Sequence, residues 1–283
     1  MSDDLGADRF QRTHEWAALT RAELAQARDH GALPVLPIGA IEQHGDHLPV
    51  GTDTICAGAV ARQAAEALRA AEPDAPHVLV LPPLPFGFSP HHKDWPGTIT
   101  LSAATVLGVI SDIADSVMRV GFDRLLIVNG HGGNQGPLTT ACTALASRGM
   151  AVGWVNYFDP GEAEWLAMLP GRWPAVGHAC TFETSLVMAL RPDEAARIAI
   201  RAAGLPPRLA QPYAQEADDP VRHAKVKFAP IFTNAAAHRD CGYVGEPALA
   251  TPALGEALLG PLVSGLARSF GVFARAGLRT GAG

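Results

Sequence analysis

Three stretches of this chain gather carboxylates and imidazoles at spacings that suit cation binding. The first is Glu42-Gln43-His44-Gly45-Asp46-His47, followed by Asp53; the second is the loop Asn129-Gly130-His131-Gly132-Gly133-Asn134; the third runs from Gly177 through His178 to Glu183. Glu42 and His44 stand two apart after an apolar run, so in extended backbone both point to one side and can address a common centre. Asp53 carries a carboxylate able to bridge two cations, or it caps the helix that follows, a place Asp favours. The glycines beside His131 allow close backbone approach to a ligand. The same loop also reads as a βα turn with Asn134 as helix cap, or as an anion cradle at a helix N-terminus. Glu183 opens an apolar helix, either as a ligand or as a first-turn acid favoured by the helix dipole. His178, on the loop ahead of it, suits a proton shuttle. In a fourth segment, Ser89 to Thr98, His91 and His92 precede Trp95-Pro96-Gly97. The two adjacent imidazoles are expected to diverge, leaving at most one facing a site and the rest a solvated loop.

Glu42, His44, Asp53, His131 and Glu183 together offer two nitrogens and three carboxylates, a mix suited to Zn²⁺, Mn²⁺ or Fe²⁺ and not to a soft thiolate site. Two-metal hydrolases hold their ions about 3.5–4 Å apart on such a shared carboxylate, which activates a water and polarises a carbonyl. A nearby histidine can then protonate the leaving nitrogen. There is no G-x-S-x-G elbow, P-loop or G-x-G-x-x-G, so acyl-serine and nucleotide chemistries have no foothold.

The elements that must position these groups alternate. Strands are expected at 33–39, 78–81, 125–128 and 151–156. Helices are expected at 54–71, at 102–120 behind Ser102 as cap, from 135 to about 147, at 182–190 stopped before Pro192, and at 252–276. Residues 82–97 read as a Pro-rich loop and 205–230 as an irregular excursion or a subunit contact. This order predicts an α/β fold with a mostly parallel sheet and helices on both faces. Loops 42–47 and 129–134, each following a strand, then face one crevice. Residues 1–283 read as one domain, with 274–283 a flexible tail.

Composition narrows the function. The chain has 283 residues, 48% hydrophobic and 18% charged, the balance of a globular protein. A formal charge of −6 without a basic stripe argues against nucleic acid. Cys56, Cys142, Cys180 and Cys241 form no C-x-x-C pair, which suits reduced thiols. No apolar leader is visible in Met1 to Phe10, and no apolar run approaches the roughly 18 residues of a membrane span. A cytoplasmic protein without a membrane partner is expected.

The strings LPIGAIEQHGDHLPVGTDT, HHKDWPGT, NGHGGN, HACTFETS and GYVGEPALAT resemble, in order, the motif series of the creatininase (creatinine amidohydrolase) family, from about residue 33 to 260. The resemblance implies a three-layer α/β/α fold, two divalent metal ions per subunit and a ring-like homohexamer. It places ligand roles on Glu42, His44, Asp53, His131 and Glu183, with Asp53 the bridge. It puts His178 beside the reacting group, with Glu183 sharing the catalytic duty. The family includes enzymes that open the creatinine ring, deformylate a formamidopyrimidine or trim the mycofactocin precursor peptide. In creatininase itself an acid stands two residues after the NGH histidine. Here that residue is Gly133, which shifts the carboxylate role to Glu183, as in the deformylase and peptidase branches. Asp46 stands where the family usually has Pro, and Cys180-Thr181 replaces a commoner Gly-acid pair. The expectation is a two-metal amidohydrolase acting on a small cyclic or formyl amide. Its competitors are a mycofactocin-type peptidase and a catalytically silent oligomeric binding protein. Trp95, Trp154, Trp165 and Trp173 could line a planar substrate or sit in the core.

Overall fold

The computed structural model describes residues 9–171, 177–208 and 242–277. Its strands are β1 (Leu33–Ile38), β2 (Val78–Val80), β3 (Arg124–Asn129) and β4 (Ala151–Asn156). The longer helices are α1 (Arg21–Asp29), α2 (Thr52–Ala71), α3 (Ala103–Arg119), α4 (Gln135–Ala146), α5 (Glu162–Leu166), α6 (Thr181–Leu190), α7 (Pro192–Ala202) and α8 (Pro252–Arg275).

The sheet runs β2-β1-β3-β4 with every neighbouring pair parallel. Val35 lies opposite Val80 on one side and Leu126 on the other. All of β1 is buried, as a parallel strand covered on both faces requires. Period-two alternation sends Leu33, Val35, Leu126 and Val128 into one core, which α2, α6 and α8 cover. Leu36, Ile38, Leu125 and Ile127 enter the other, under α1, α3 and α4. Three layers result, as expected.

The chain leaves β1 outward to β2 through α2, crosses back to β3 through α3, and continues to β4. Strand order therefore reverses between β1 and β3, and the crevice outside their carboxyl ends is where such sheets bind ligands. Both glycine-containing loops open there.

Several elements differ from expectation. Helix α1 was not foreseen, although Thr20 and Glu23 form a reciprocal capping box at its start. Pro192 does stop α6, but as the first residue of α7 it also starts a helix, where its fixed φ and missing N–H cost nothing. Ser102 caps α3 as expected, accepting from Thr105 N–H. By length and composition, α8 corrects the statement that no apolar run approaches the length of a membrane span: it has 24 residues, and an 18-residue window within it has a mean hydropathy of 1.4. Interspersed glycines hid that run, and Leu258, Leu262, Leu266 and Phe270 are buried in the core shared with α2 and α6. Helix α8 ends at Arg275, two residues into the stretch expected as a tail. Residues 278–283, Trp173, Cys241 and most of the 205–230 segment lie outside the described residues.

Candidate metal centre

The loop after β1 turns back on itself, with Glu42 N–H donating to the Val50 carbonyl at 3.0 Å, and delivers the chain into α2. Asp53 sits in the first turn of α2, but its side chain makes no capping bond, and Gly51 occupies the cap. The capping alternative for Asp53 is thereby overturned. Gly130 lets β3 come close to that turn, since a Cβ there would lie 2.5 Å from the Asp53 carbonyl oxygen. This close approach brings Asp53 between two histidines.

Asp53 Oδ1 lies 3.1 Å from His44 Nε2, and its Oδ2 lies 3.1 Å from His131 Nδ1. Glu42 Oε1 lies 3.3 Å from the same His131 nitrogen and 3.6 Å from His178 Nδ1. Four overlapping groups have ligand spacing: Glu42, His44 and Asp53; His44, His178 and Glu183; Glu42, His91 and His131; and Glu42, His92 and His178. All of these side chains are buried except His91, which is half-buried, and His178, whose side chain is 21% exposed. The structure thus brings together all five expected ligands and His178.

Hydrogen bonding on the far side of each ring shows what these residues fit. His44 Nδ1 is 3.0 Å from the Glu42 carbonyl, and His131 Nε2 is 3.1 Å from the Phe88 carbonyl. A carbonyl can only accept, so those nitrogens carry the protons in the neutral rings. The remaining lone pairs, on His44 Nε2 and His131 Nδ1, then point at carboxylate oxygens. Glu42 Oε2 and Asp53 Oδ2 are buried without a hydrogen-bond partner. Lone pairs facing buried carboxylates need a cation between them, and carbonyl-anchored imidazoles beside acids are the usual surroundings of metal-ligating histidine.

Without that cation, protons take its place. Burial would lower the His44 basicity, but Asp53, Glu183 and Glu42 overcome it and lift His44 to about 10. His131 is also raised, against burial, by Glu42 and Asp53. Burial would raise Glu42, but His131, His178 and His44 hold it well below the usual carboxylate range. Glu183, buried with weaker support and near Asp53, is pushed up to about 7.

Backbone strain marks the third stretch. Ala179 has φ +50°, a left-handed conformation rare outside glycine. Its N–H donates to Glu183 Oε2 at 2.5 Å, and its carbonyl lies 3.1 Å from His47 Nε2. Glu183 therefore is a first-turn acid of α6 and also a member of the site. His47, given no role of its own from sequence, is a clamp: it also meets Thr184 Oγ1 at 3.1 Å, and burial lowers it to about 4, so it stays neutral.

Asn134 stands at the N-cap position of α4 as expected, but its side chain makes no capping bond. Its amide donates to the Gly39 carbonyl and accepts from Phe88 N–H. Phe88 in turn holds the His131 ring, while Asn129 holds the His131 main chain at N–H and carbonyl. His91 and His92 correct another expectation. They lie in a 3-10 turn, Pro90–His92, where successive side chains are about 120° apart and not opposed. Both border the site: His91 stacks on His131 with centroids 5.5 Å apart, and His92 on His178 at 4.4 Å. The sequence signal was the His-His pair itself, read with the wrong local geometry. Trp165 is buried against Phe182 and Trp154 packs on the α3 side of the sheet, so both serve the core.

The protein family described as creatininase, creatinine amidohydrolase, matches residues 17–270. The chain belongs to the creatininase family. It is a metal-dependent hydrolase of that family. A mycofactocin precursor peptide peptidase of Mycolicibacterium smegmatis is 31% identical over 241 residues, covering 84% of this chain and 85% of that one. A creatinine amidohydrolase of Pseudomonas putida is 31% identical over 176 residues, 56% of this chain and 64% of that one. A creatininase crystal structure superposes with a TM-score of 0.72 at 27% identity, covering 94% and 99%. A manganese creatininase gives 0.69 at 27% identity, covering 91% and 97%. A Zn–Zn creatininase carrying a Glu-to-Gln mutation gives 0.68 at 28% identity, covering 91% and 97%. The buried His/Glu/Asp clusters of this family member are consistent with a binuclear centre of that kind.

Gly133 tests how the centre is built. A Cβ there would lie 2.3 Å from the Phe88 carbonyl oxygen and 2.4 Å from His131 Nε2, the two atoms whose hydrogen bond anchors the ring. In this creatininase-family chain the position is closed to any side chain, acidic or not. Gly133→Asp is expected to displace His131, lower stability by about 1–3 kcal/mol through overpacking, and reduce bound metal per subunit. A variant with full metal content by elemental analysis would show that the loop yields more easily than this packing implies.

Proposed function

We propose that the chain hydrolyses a carbon–nitrogen amide bond, with Glu42, His44, Asp53, His131 and Glu183 holding two divalent cations and Asp53 shared between them. The observation that carries this reading is the pair of Asp53 oxygens, one at each of two histidines whose outer nitrogens are spoken for by carbonyls. When bound, such an ion pair supplies a nucleophilic water near neutral pH and polarises a carbonyl. The protein's own residues bind, orient and move the proton. His178 presents Nδ1 to Glu42 at 3.6 Å, while its Nε2 lies 2.7 Å from the Gln43 carbonyl and 2.9 Å from the Gln43 side-chain nitrogen. With an acceptor and a donor both in reach, Nε2 keeps a partner whether or not it is protonated. That suits a group that gains and loses a proton as an amine departs.

Among substrates, a peptide bond is the better supported choice, in place of the small cyclic or formyl amide expected from sequence. The mycofactocin-type relatives match over most of their length, and Gly133 leaves no space for the acid of creatininase itself. A small cyclic amide stays as the second reading because of the likeness to creatininase. Protein reconstituted with Zn²⁺ or Mn²⁺ should be offered short peptides of the mycofactocin-precursor type, creatinine and N-formyl amides, with products read by mass. Peptide cleavage with addition of one water is expected. Ring opening or deformylation alone would transfer the assignment to the second reading, and turnover surviving complete metal removal would end both.

A further inference from the structure

Hydrogen-bond direction around Gln43 fixes the tautomer of a histidine outside the expected ligand set. Gly45 N–H lies 2.9 Å from Gln43 Oε1. A backbone N–H only donates, so the atom facing it is the amide oxygen and the amide nitrogen faces the other way. That nitrogen lies 3.1 Å from His92 Nδ1. An amide nitrogen only donates, so His92 Nδ1 accepts and the ring proton sits on Nε2. His92 Nε2 points towards Glu42 but stops 3.9 Å from its Oε1, beyond hydrogen-bond reach. Among the described residues it makes no hydrogen bond. A buried ring therefore holds an unspent N–H at the edge of the metal centre, beside His178.

We infer that His92 Nε2–H donates to the carbonyl oxygen of the scissile amide, and that Gln43 locks His92 in the tautomer able to do so. Here His92 touches substrate and is a catalytic residue, whereas Gln43 is a positioning residue acting through it. The inference rests on the hydrolase reading above. A donor fixed where negative charge gathers on a carbonyl oxygen strengthens its bond as the reaction proceeds, so it acts on kcat more than on KM. The anchoring is redundant: Gln43 N–H donates to Thr98 Oγ1 at 3.0 Å, joining the loop that carries His92 to the loop that carries Gln43. His91 is not constrained in this way, for its Nδ1 is buried with no partner.

Two measurements test this. In the metal-loaded wild type labelled with ¹⁵N-histidine, His92 should show a protonated Nε2 and a bare Nδ1. Protonation at Nδ1 would overturn the inference whatever the enzyme does. On the amide that the wild type turns over, His92→Phe should lower kcat by roughly 10²–10³-fold, the usual loss for one such donor, with KM little changed and both ions retained. His92→Asn, which keeps an N–H donor, should recover part of the loss. Gln43→Glu offers only acceptors and should move the His92 proton to Nδ1, with a kcat loss similar to that of His92→Phe. A His92→Phe protein with two ions and wild-type kcat would also overturn the role. If the wild type hydrolyses nothing, the hydrolase reading has failed, and the NMR result still decides the tautomer.

Discussion

Asp53→Ala is expected to yield a folded protein that binds neither divalent ion tightly and loses turnover by on the order of 10³-fold or more, the several kcal/mol that metal assistance supplies. The reason is its place between two histidines. Oδ1 meets His44 and Oδ2 meets His131, so removing this one side chain separates both halves of the centre. The effect on folding should be smaller. Asp53 caps nothing, and its partner His44 can discharge, because the lift of that ring to about 10 depends on Asp53 before Glu183 and Glu42. A loss of about 1–3 kcal/mol, typical of one unsatisfied buried polar group, leaves a domain of ordinary stability folded. Circular dichroism should show native helix content, and elemental analysis should show metal near zero. Two ions per subunit in Asp53→Ala would remove the basis for treating this carboxylate as shared.

Much of this centre was legible because its chemistry is carried by residue types at short range. Glu42 and His44 stand two apart, His131 is framed by glycines, and Glu183 opens a helix. The strand-then-loop order placed the first two stretches at one sheet edge. What could not be read was anything set by long-range geometry. The role of His47 was not readable because its partners, Ala179 and Thr184, are remote in sequence. Asn134 was readable as the residue at the helix start, but the bond its amide makes to the Gly39 carbonyl, just past a neighbouring strand, was not. The divergence assumed for His91 and His92 holds in a strand and fails in a 3-10 turn. Helix α7 was hidden because proline is read as an ending, although it serves equally as a first residue.

The same buried charges make the centre's stability depend on pH in opposite ways with and without metal. In the metal-free protein His44 is lifted from 6.5 to about 10 and Glu183 from 4.5 to about 7. Each binds its proton more tightly folded than unfolded. The His44 contribution is complete below pH 6.5 and disappears as pH rises through about 10, and that of Glu183 is complete below 4.5 and is gone above about 7. Both slopes have the same sign, so metal-free protein should lose thermal stability steadily from about pH 5 to pH 10. Glu42, held low, works the other way only below the usual carboxylate range. A bound cation takes the place of these protons, because its ligands must be deprotonated, so its affinity rises over the same interval. The gap in Tm between metal-loaded and metal-free protein should therefore widen with pH, since ligand binding to the folded state adds stability that grows with the logarithm of ligand concentration over its Kd. Calorimetric titration of metal into chelator-stripped protein at neutral pH, in buffers of different ionisation enthalpy, should report between about two and three protons released per subunit, from His44, His131 and in part Glu183. Parallel Tm curves and binding without proton release would mean that the cations enter somewhere other than between these histidines and their carboxylates.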